Sequence, residues 1–185
     1  LVDSRARLHC ELTGFLRQHC PVADRRHLVL LAWMVAGLLL SETVCFDRWK
    51  TRLPLAHCLA ASWQRRCQRW LSNRRIDVEA LYGPLIVWAI QHWQNPGRIL
   101  HLALDATMLW NRCCVVVVSV VAHGRAIPLL WQTLEHPSAS VSASVSIALL
   151  EKTDRLLSGC RAITLLADRA FPCDELIAWF RGRPR

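Results

Sequence analysis

"HLALDATMLW" (101–110) and "ITLLADRAF" (163–171) are two apolar, strand-like runs, and each carries an aspartate, Asp105 and Asp168. Their reading decides the fold. "RILHLALDA" (98–106) is read as a first strand on its density of β-branched and other apolar residues. "CCVVVVSVVA" (113–122) is a second, too continuously apolar to have one wet face. "AIPLLWQTL" (126–134) follows through the turn signal His123-Gly124, which predicts an antiparallel meander of three strands. "CRAITLLAD" (160–168) is a fourth strand. Between the third and fourth, the serine repeat "SASVSASVS" (138–146) alternates like an extended or loop segment, and 147–157 is patterned as a helix. Pro172 opens a last helix through Phe180. Three strands, a helix, a strand and a helix make an α/β layer.

If the first and fourth strands lie side by side and run parallel, Asp105 and Asp168 stand together at strand C-terminal ends, where open α/β sheets place their chemistry. A carboxylate beside a core must be hydrogen-bonded, ion-paired or bound to a cation, because an unpaired buried charge costs roughly several kcal/mol. Two adjacent carboxylates repel each other unless a divalent ion neutralises both, and Mg²⁺ suits one or two carboxylates with water and phosphate oxygens completing its shell. The spacing equally admits Asp105 as the cap of a turn and Asp168 as the cap of the helix near Pro172.

The chain's first half is of another kind. Residues 8–19 and 25–41 are patterned as helices, the second capped by Asp24; a third is expected from about Leu55 to Ser72, and a fourth over 78–93, interrupted at Gly83-Pro84. On the third, Leu59, Trp63, Cys67, Trp70 and Leu71 share one side, and Arg65, Arg66 and Arg69 fall mainly off it. "QNPG" (94–97) is a turn signal and the expected boundary between a helical region, 1–95, and a sheet-bearing domain, 98–185. Charge divides the same way. Residues 1–100 hold 14 Lys/Arg against 7 Asp/Glu, and residues 101–185 hold 9 against 7. A basic helical region points to a polyanion partner, with Arg65, Arg66, Arg69, Arg74 and Arg75 as phosphate contacts. Arg169, directly after Asp168, reaches either a DNA phosphate or Asp168 itself.

Nine cysteines without a C-x-x-C pair or zinc-ligand spacing read as free or buried thiols of a reducing compartment. The longest apolar run, Leu28–Leu40, has thirteen residues, short of the roughly twenty a spanning helix needs, so it reads as a buried helix and no membrane partner is expected. No secretory signal is evident, and the missing initial methionine predicts a chain shortened at its front. His123 reads as a turn residue, Ser119 lacks a nucleophile elbow, and no glycine loop cradles a nucleotide.

Taken together, "LALDATMLWNR", "VVVVSVVAHGRAIPLLWQTLEH" and "LLADRAF", with "LVLLAWMVAGLLLSETVCFDRWK" and "ASWQRRCQRWLSNRRIDVEALYGPL" before them, resemble the DDE transposases of bacterial insertion sequences, in the type-four insertion-sequence group. The resemblance spans nearly the whole chain. It implies a helical N-terminal region followed by part of a ribonuclease-H-like mixed sheet with flanking helices. It also implies double-stranded DNA, both element ends and target, as partner, self-association on that DNA, a cytoplasmic, nucleoid-associated location, and two Mg²⁺ or Mn²⁺ ions in the complete enzyme. Asp105 and Asp168 take the places of the first two metal-binding acids.

The family's third acid is a glutamate in a Y, R, E, K signature downstream of the second aspartate, and the sequence ends at Arg185 without it. Glu175, beside Asp174, reads as a helix-start acid. The expectation is a shortened form that binds metal weakly and does not transpose, or a non-catalytic DNA-binding remnant that competes with intact transposase. Ala106 stands where the family has threonine or aspartate, and Ala170 where it has glycine, as in a decaying copy.

Overall fold

Helix-period and strand-period patterns segregate along the chain, and so do the elements they form. The computed structural model describes residues 4–22, 24–53, 60–93, 99–158 and 162–182. The chain divides into two compact units, Leu1–Leu85 and Ile86–Arg185. The expected boundary at 94–97 lies outside the described residues.

The first unit is helical: α1 (Ser4–His19), α2 (Arg25–Ser41), α3 (Phe46–Arg52), α4 (Ala60–Leu71) and the start of α5 (Val78–Trp93). Helix α2 begins where Asp24 turns out of extended backbone and its carboxylate accepts from the Arg26 amide at 2.9 Å, satisfying a donor that the helix itself leaves open. Its apolar surface serves two cores, although Leu38 and Leu39 near its end stay exposed. Leu28 and Ala32 pack with Leu16, Cys20 and Leu81, whereas Met34 and Ala36 pack with Trp49, Leu53, Trp63 and Cys67. A helix apolar on all sides needs such double cover. No single helix among the described residues is long and apolar enough to cross a membrane, and the chain bends by 86° between α2 and α3.

Gly37 permits the close approach of α3: a Cβ there would lie 2.9 Å from the Trp49 ring. The indole Nε1 of Trp49 donates to the Thr43 carbonyl, which ties α3 back to the turn before it. In α4, Trp63 and Cys67 are buried, and Trp70 is half-buried with its Nε1 donating to the His27 carbonyl at 3.2 Å. Leu71 is exposed, contrary to the expected stripe, because α4 ends at that residue and its last turn leaves the core. The expected first turn of this helix, residues 55–59, lies outside the described residues. Helix α5 passes through Pro84 without the expected interruption. Pro84 is the seventh residue of α5, a position where the ring removes one intrahelical hydrogen bond and crowds the preceding turn.

The second unit holds a four-stranded mixed sheet in the order β3-β2-β1-β4. Strands β1 (Leu100–Leu109), β2 (Cys113–Ala122) and β3 (Arg125–Leu134) form the expected antiparallel meander. After α6 (Ala143–Leu156), β4 (Ile163–Ala167) returns parallel to β1, and α7 (Asp174–Arg181) follows. Leu100, Leu102 and Leu104 are buried while His101 and Asp105 are exposed, the period-two alternation of a strand with one covered face. The serine repeat splits. Ser138 and Ser140 are held by local bonds, Ser140 N to Ser138 Oγ at 3.1 Å, but Ala143 onward is helical, with Ser146 buried. The expectation of an extended segment therefore fails for its second half, where Ser146, Leu149, Leu150 and Thr153 supply a helical buried stripe.

Both hairpin turns put two residues at positive φ: Trp110 and Asn111 (51° and 52°), then His123 and Gly124 (51° and 71°). The β2–β3 connection is the two-residue kind, His123-Gly124, whose hand matches the twist of the strands it joins, and the β1–β2 connection has three residues, Trp110 to Arg112. For Trp110 the conformation is costly, about 1–2 kcal/mol for a residue with a Cβ.

Candidate functional site: two carboxylates at the step between β1 and β4

Strand β4 stops where β1 does not. Leu104 pairs with Ala167, and each is followed by an aspartate. The backbones of adjacent strands lie about 4.8 Å apart, so Asp105 and Asp168 start from neighbouring positions. By alternation Asp105 shares the face of Ala103 and of Ala103's partner Leu166, and Asp168 lies two residues beyond Leu166. The parallel pairing that would bring the two acids together is therefore present.

Two expectations need correction. Asp105 is not at the end of its strand: β1 continues to Leu109, because its second half is held by β2, with Asp105 opposite Val117 and Leu109 opposite Cys113. This also removes Asp105 as the cap of a turn. Nor are the carboxylates at the edge of a core. Both residues are exposed, so water solvates them and the burial cost that seemed to demand a cation does not apply. What remains is the mutual repulsion of two like charges on adjacent strands, about 1 kcal/mol at 4 Å in water.

Asp168 is shaped by its own turn. Its carbonyl accepts from the Phe171 amide at 2.9 Å, and its Oδ1 accepts from the Arg169 amide. It does not cap α7, whose N-cap is Cys173 without a side-chain bond. The second carboxylate oxygen of Asp168 keeps its accepting capacity. The side chain of Arg169 is exposed beside it, and Glu175 sits with Asp174 in the first turn of α7. No group of three or more His, Cys, Asp or Glu placed to hold a metal occurs among the described residues.

Thr107, which the sequence offers either as a hydrogen-bonding group near a metal or as a plain strand-end residue, lies with His101 on the same face of β1 as Asp105, and Trp131, paired with Val117, brings an aromatic to that face two strands away. The sequence reading passed over His101 and Trp131: period-two alternation from Asp105 would have found the first, and Trp131 needs the cross-strand register. A cavity of about 790 Å³ lies elsewhere: it is mainly apolar, lined by Leu102, Leu165, Leu150 and Leu176 among others, on the face of β1 opposite Asp105.

In the first unit, Arg65, Arg66 and Arg69 are exposed on α4, opposite buried Trp63 and Cys67. Arg74 and Arg75 are exposed in the following turn, where the Asn73 side chain accepts from the Arg75 amide at 3.1 Å. Five guanidinium groups within eleven residues form a cationic surface on a helix whose other side is fixed in the core. His123 occupies its hairpin turn as expected, its ring edge-on to Trp93 at 6.3 Å. Seven described cysteines are free thiols; Cys58 and Cys160 lie outside the described residues.

No family profile matches the chain, and neither a curated protein nor a solved structure does.

Proposed function

We propose that the chain is a DNA-acting protein of the DDE transposase kind, with a ribonuclease-H-like second unit whose Asp105 and Asp168 are a divalent-metal site for phosphodiester cleavage and strand transfer. The observation that carries the reading is the pairing of Leu104 with Ala167, each followed by an aspartate, on parallel strands joined through a helix. The sequence resemblance selects the same two acids.

The donor set suits Mg²⁺ or Mn²⁺ in kind, since both prefer carboxylate oxygens and keep water or phosphate in the remaining positions. The pair accounts for one shared ion, and a second needs a further ligand. When bound, such ions lower the pKa of an attacking water or 3′-hydroxyl and stabilise the leaving oxygen. Asp105 contributes an exposed carboxylate on a strand that is paired with β2 at this residue and with β4 up to the residue before it. Asp168 contributes one oriented by its bond from the Arg169 amide. Arg65, Arg66, Arg69, Arg74 and Arg75 bind backbone phosphates without reading sequence, and Arg169 adds a cation next to the carboxylates.

The second reading is a DNA-binding protein without catalysis, which competes with intact transposase. It is favoured by the lack of a third clustered acid among the described residues. Titration of Mn²⁺ by electron paramagnetic resonance separates the two. The transposase reading expects weak binding in the wild type that is lost in Asp105→Asn and in Asp168→Asn, with circular dichroism unchanged. Equal Mn²⁺ binding in all three proteins removes the metal roles and leaves the binding protein.

A further inference from the structure

Past Ala167 the sheet is three strands wide, and the β1–β2 hairpin runs on to a turn, Leu109-Trp110-Asn111-Arg112, closed by the Arg112 amide donating to the Leu109 carbonyl at 3.0 Å. Trp110 at its tip is 86% exposed, about twice as much as Trp131 (42%) or Trp93 (39%), whereas Trp49 and Trp63 are buried. Its φ of 51° is one that a side chain with a Cβ rarely adopts. The residue is unfavourable twice over: glycine or asparagine would fit the turn better, and an indole in water contributes no burial. Folding of this unit gains nothing from a tryptophan at this position.

We infer that Trp110 is a stacking platform for an unpaired nucleobase of the DNA strand held at Asp105 and Asp168. The inference rests on the reading of those two residues as the phosphate-side site, and it adds a residue that engages the base. Trp110 directly follows the last residue of β1, five residues beyond Asp105, a separation of up to about 16 Å at strand rise. At about 3.4 Å per nucleotide along one strand, this corresponds to about five nucleotides from the phosphate at the carboxylates. The paired strands fix that spacing, since Asp105 through Leu109 are all registered against β2. A nucleobase suits the site because an indole offers a flat π-face that any base can cover. Exposed Arg112, in the same turn, supplies a cation for the adjoining phosphate. Exposed Glu135 follows β3 at the same end of the sheet, and it disfavours a second phosphate on that side. The base must be unpaired, because in a duplex both its faces are already stacked.

The test is fluorescence anisotropy of a short labelled oligonucleotide, as single strand and as blunt duplex, titrated in EDTA with the full chain. Trp110→Ala is expected to lose at least about five-fold affinity for the single strand, the effect of removing one aromatic from a base. Duplex affinity, set by the arginines, should change less than that, and Trp110→Phe should keep most of the single-strand affinity. Matching melting curves show that the variants are folded. Equal losses on both DNAs, or no loss, overturn the inference. A loss accompanied by a shift in sedimentation also overturns it, by making Trp110 a contact between copies. EDTA keeps this outcome separate from the metal site: single-strand selectivity can vanish while Mn²⁺ binding still depends on Asp105 and Asp168, or the reverse.

Discussion

Asp105 and Asp168 each follow one member of a paired couple, Leu104 and Ala167, so the two acids stand at the same level of two parallel strands, and both are open to water. Their interaction without metal is repulsive. With a divalent ion it becomes an attraction through the ion.

The sign of a substitution should therefore invert with metal. In EDTA, Asp105→Asn removes a like-charge neighbour and should leave stability unchanged or raise it by up to about 1 kcal/mol. If the two acids hold a divalent ion as proposed, excess Mn²⁺ should raise the melting temperature of the wild type above that of Asp105→Asn. Thermal melts of both proteins with and without metal check the crossing. Parallel shifts in both proteins would show that the ion binds elsewhere.

The arginines of α4 and its following turn should act through counterion release. Each guanidinium taken away from a phosphate lowers the slope of log K against log salt by about 0.9 on duplex DNA. Replacing Arg65, Arg66 and Arg69 together by alanine should lower the slope by up to about 3, with similar weakening on unrelated sequences. Duplex binding at several salt concentrations measures it. An unchanged slope would place the DNA on another surface.

Gly37→Ala should be poorly tolerated. The new methyl meets the Trp49 ring at 2.9 Å, and α3 can yield only by giving up the bond from Trp49 Nε1 to Thr43. A cost of about 1–3 kcal/mol is expected, typical of an overpacked core, and a urea melt reads it directly.

The β1–β2 turn offers the opposite case. Trp110→Asn with Asn111→Gly installs Asn-Gly, the pair best suited to two positive φ values. Relief of strain at Trp110 should stabilise the protein by about 1 kcal/mol. If the nucleobase platform is correct, the same change costs single-strand binding, so stability and binding should move in opposite directions.

His9 sets an acid limit for the first unit. Its ring stacks on Trp33 at 3.7 Å, with Nε2 3.2 Å from the Val29 carbonyl oxygen and 3.3 Å from Thr13 Oγ1. Burial lowers its pKa from the usual 6.5, outweighing the Val29 bond, which raises it. Below pH 6.5 the unfolded chain takes up this proton first, so stability is complete above that pH and falls as pH drops towards the lowered value. Asp24, held at about 2 by the hydrogen bonds it accepts from Arg26, adds a second loss only below its usual 3.8. His9→Gln should flatten the first decline and leave the second, as pH-dependent denaturant melts can show.

The identity of the four strands, the meander of the first three, helices α1 and α2 and most of α6 were legible from composition, turn signals and periodicity. Three features were not. Helix α3 has seven residues, too few to show a period, and exists because Trp49 fills the space left by Gly37. The continuity of α5 through Gly83-Pro84 ran against two strong breaker residues. The exposure of Asp105 and Asp168 was hidden because an apolar run names the residues that are covered and says little about the face between them. Leu102 and Leu104 are buried on one side, while Asp105 takes the other. The adjacency of the two acids could be anticipated only conditionally, since it depends on which strands become neighbours.

The sheet's two borders are finished differently. Outermost β3 carries Pro128, starts at Arg125 and is offset by a register shift at Val118/Ser119, all of which discourage a newcomer. Outermost β4, "ITLLA", has neither proline nor charge, and its far side has no strand among the described residues. A further ribbon is therefore less opposed at β4 than at β3, and one added there would settle alongside the strand that delivers Asp168.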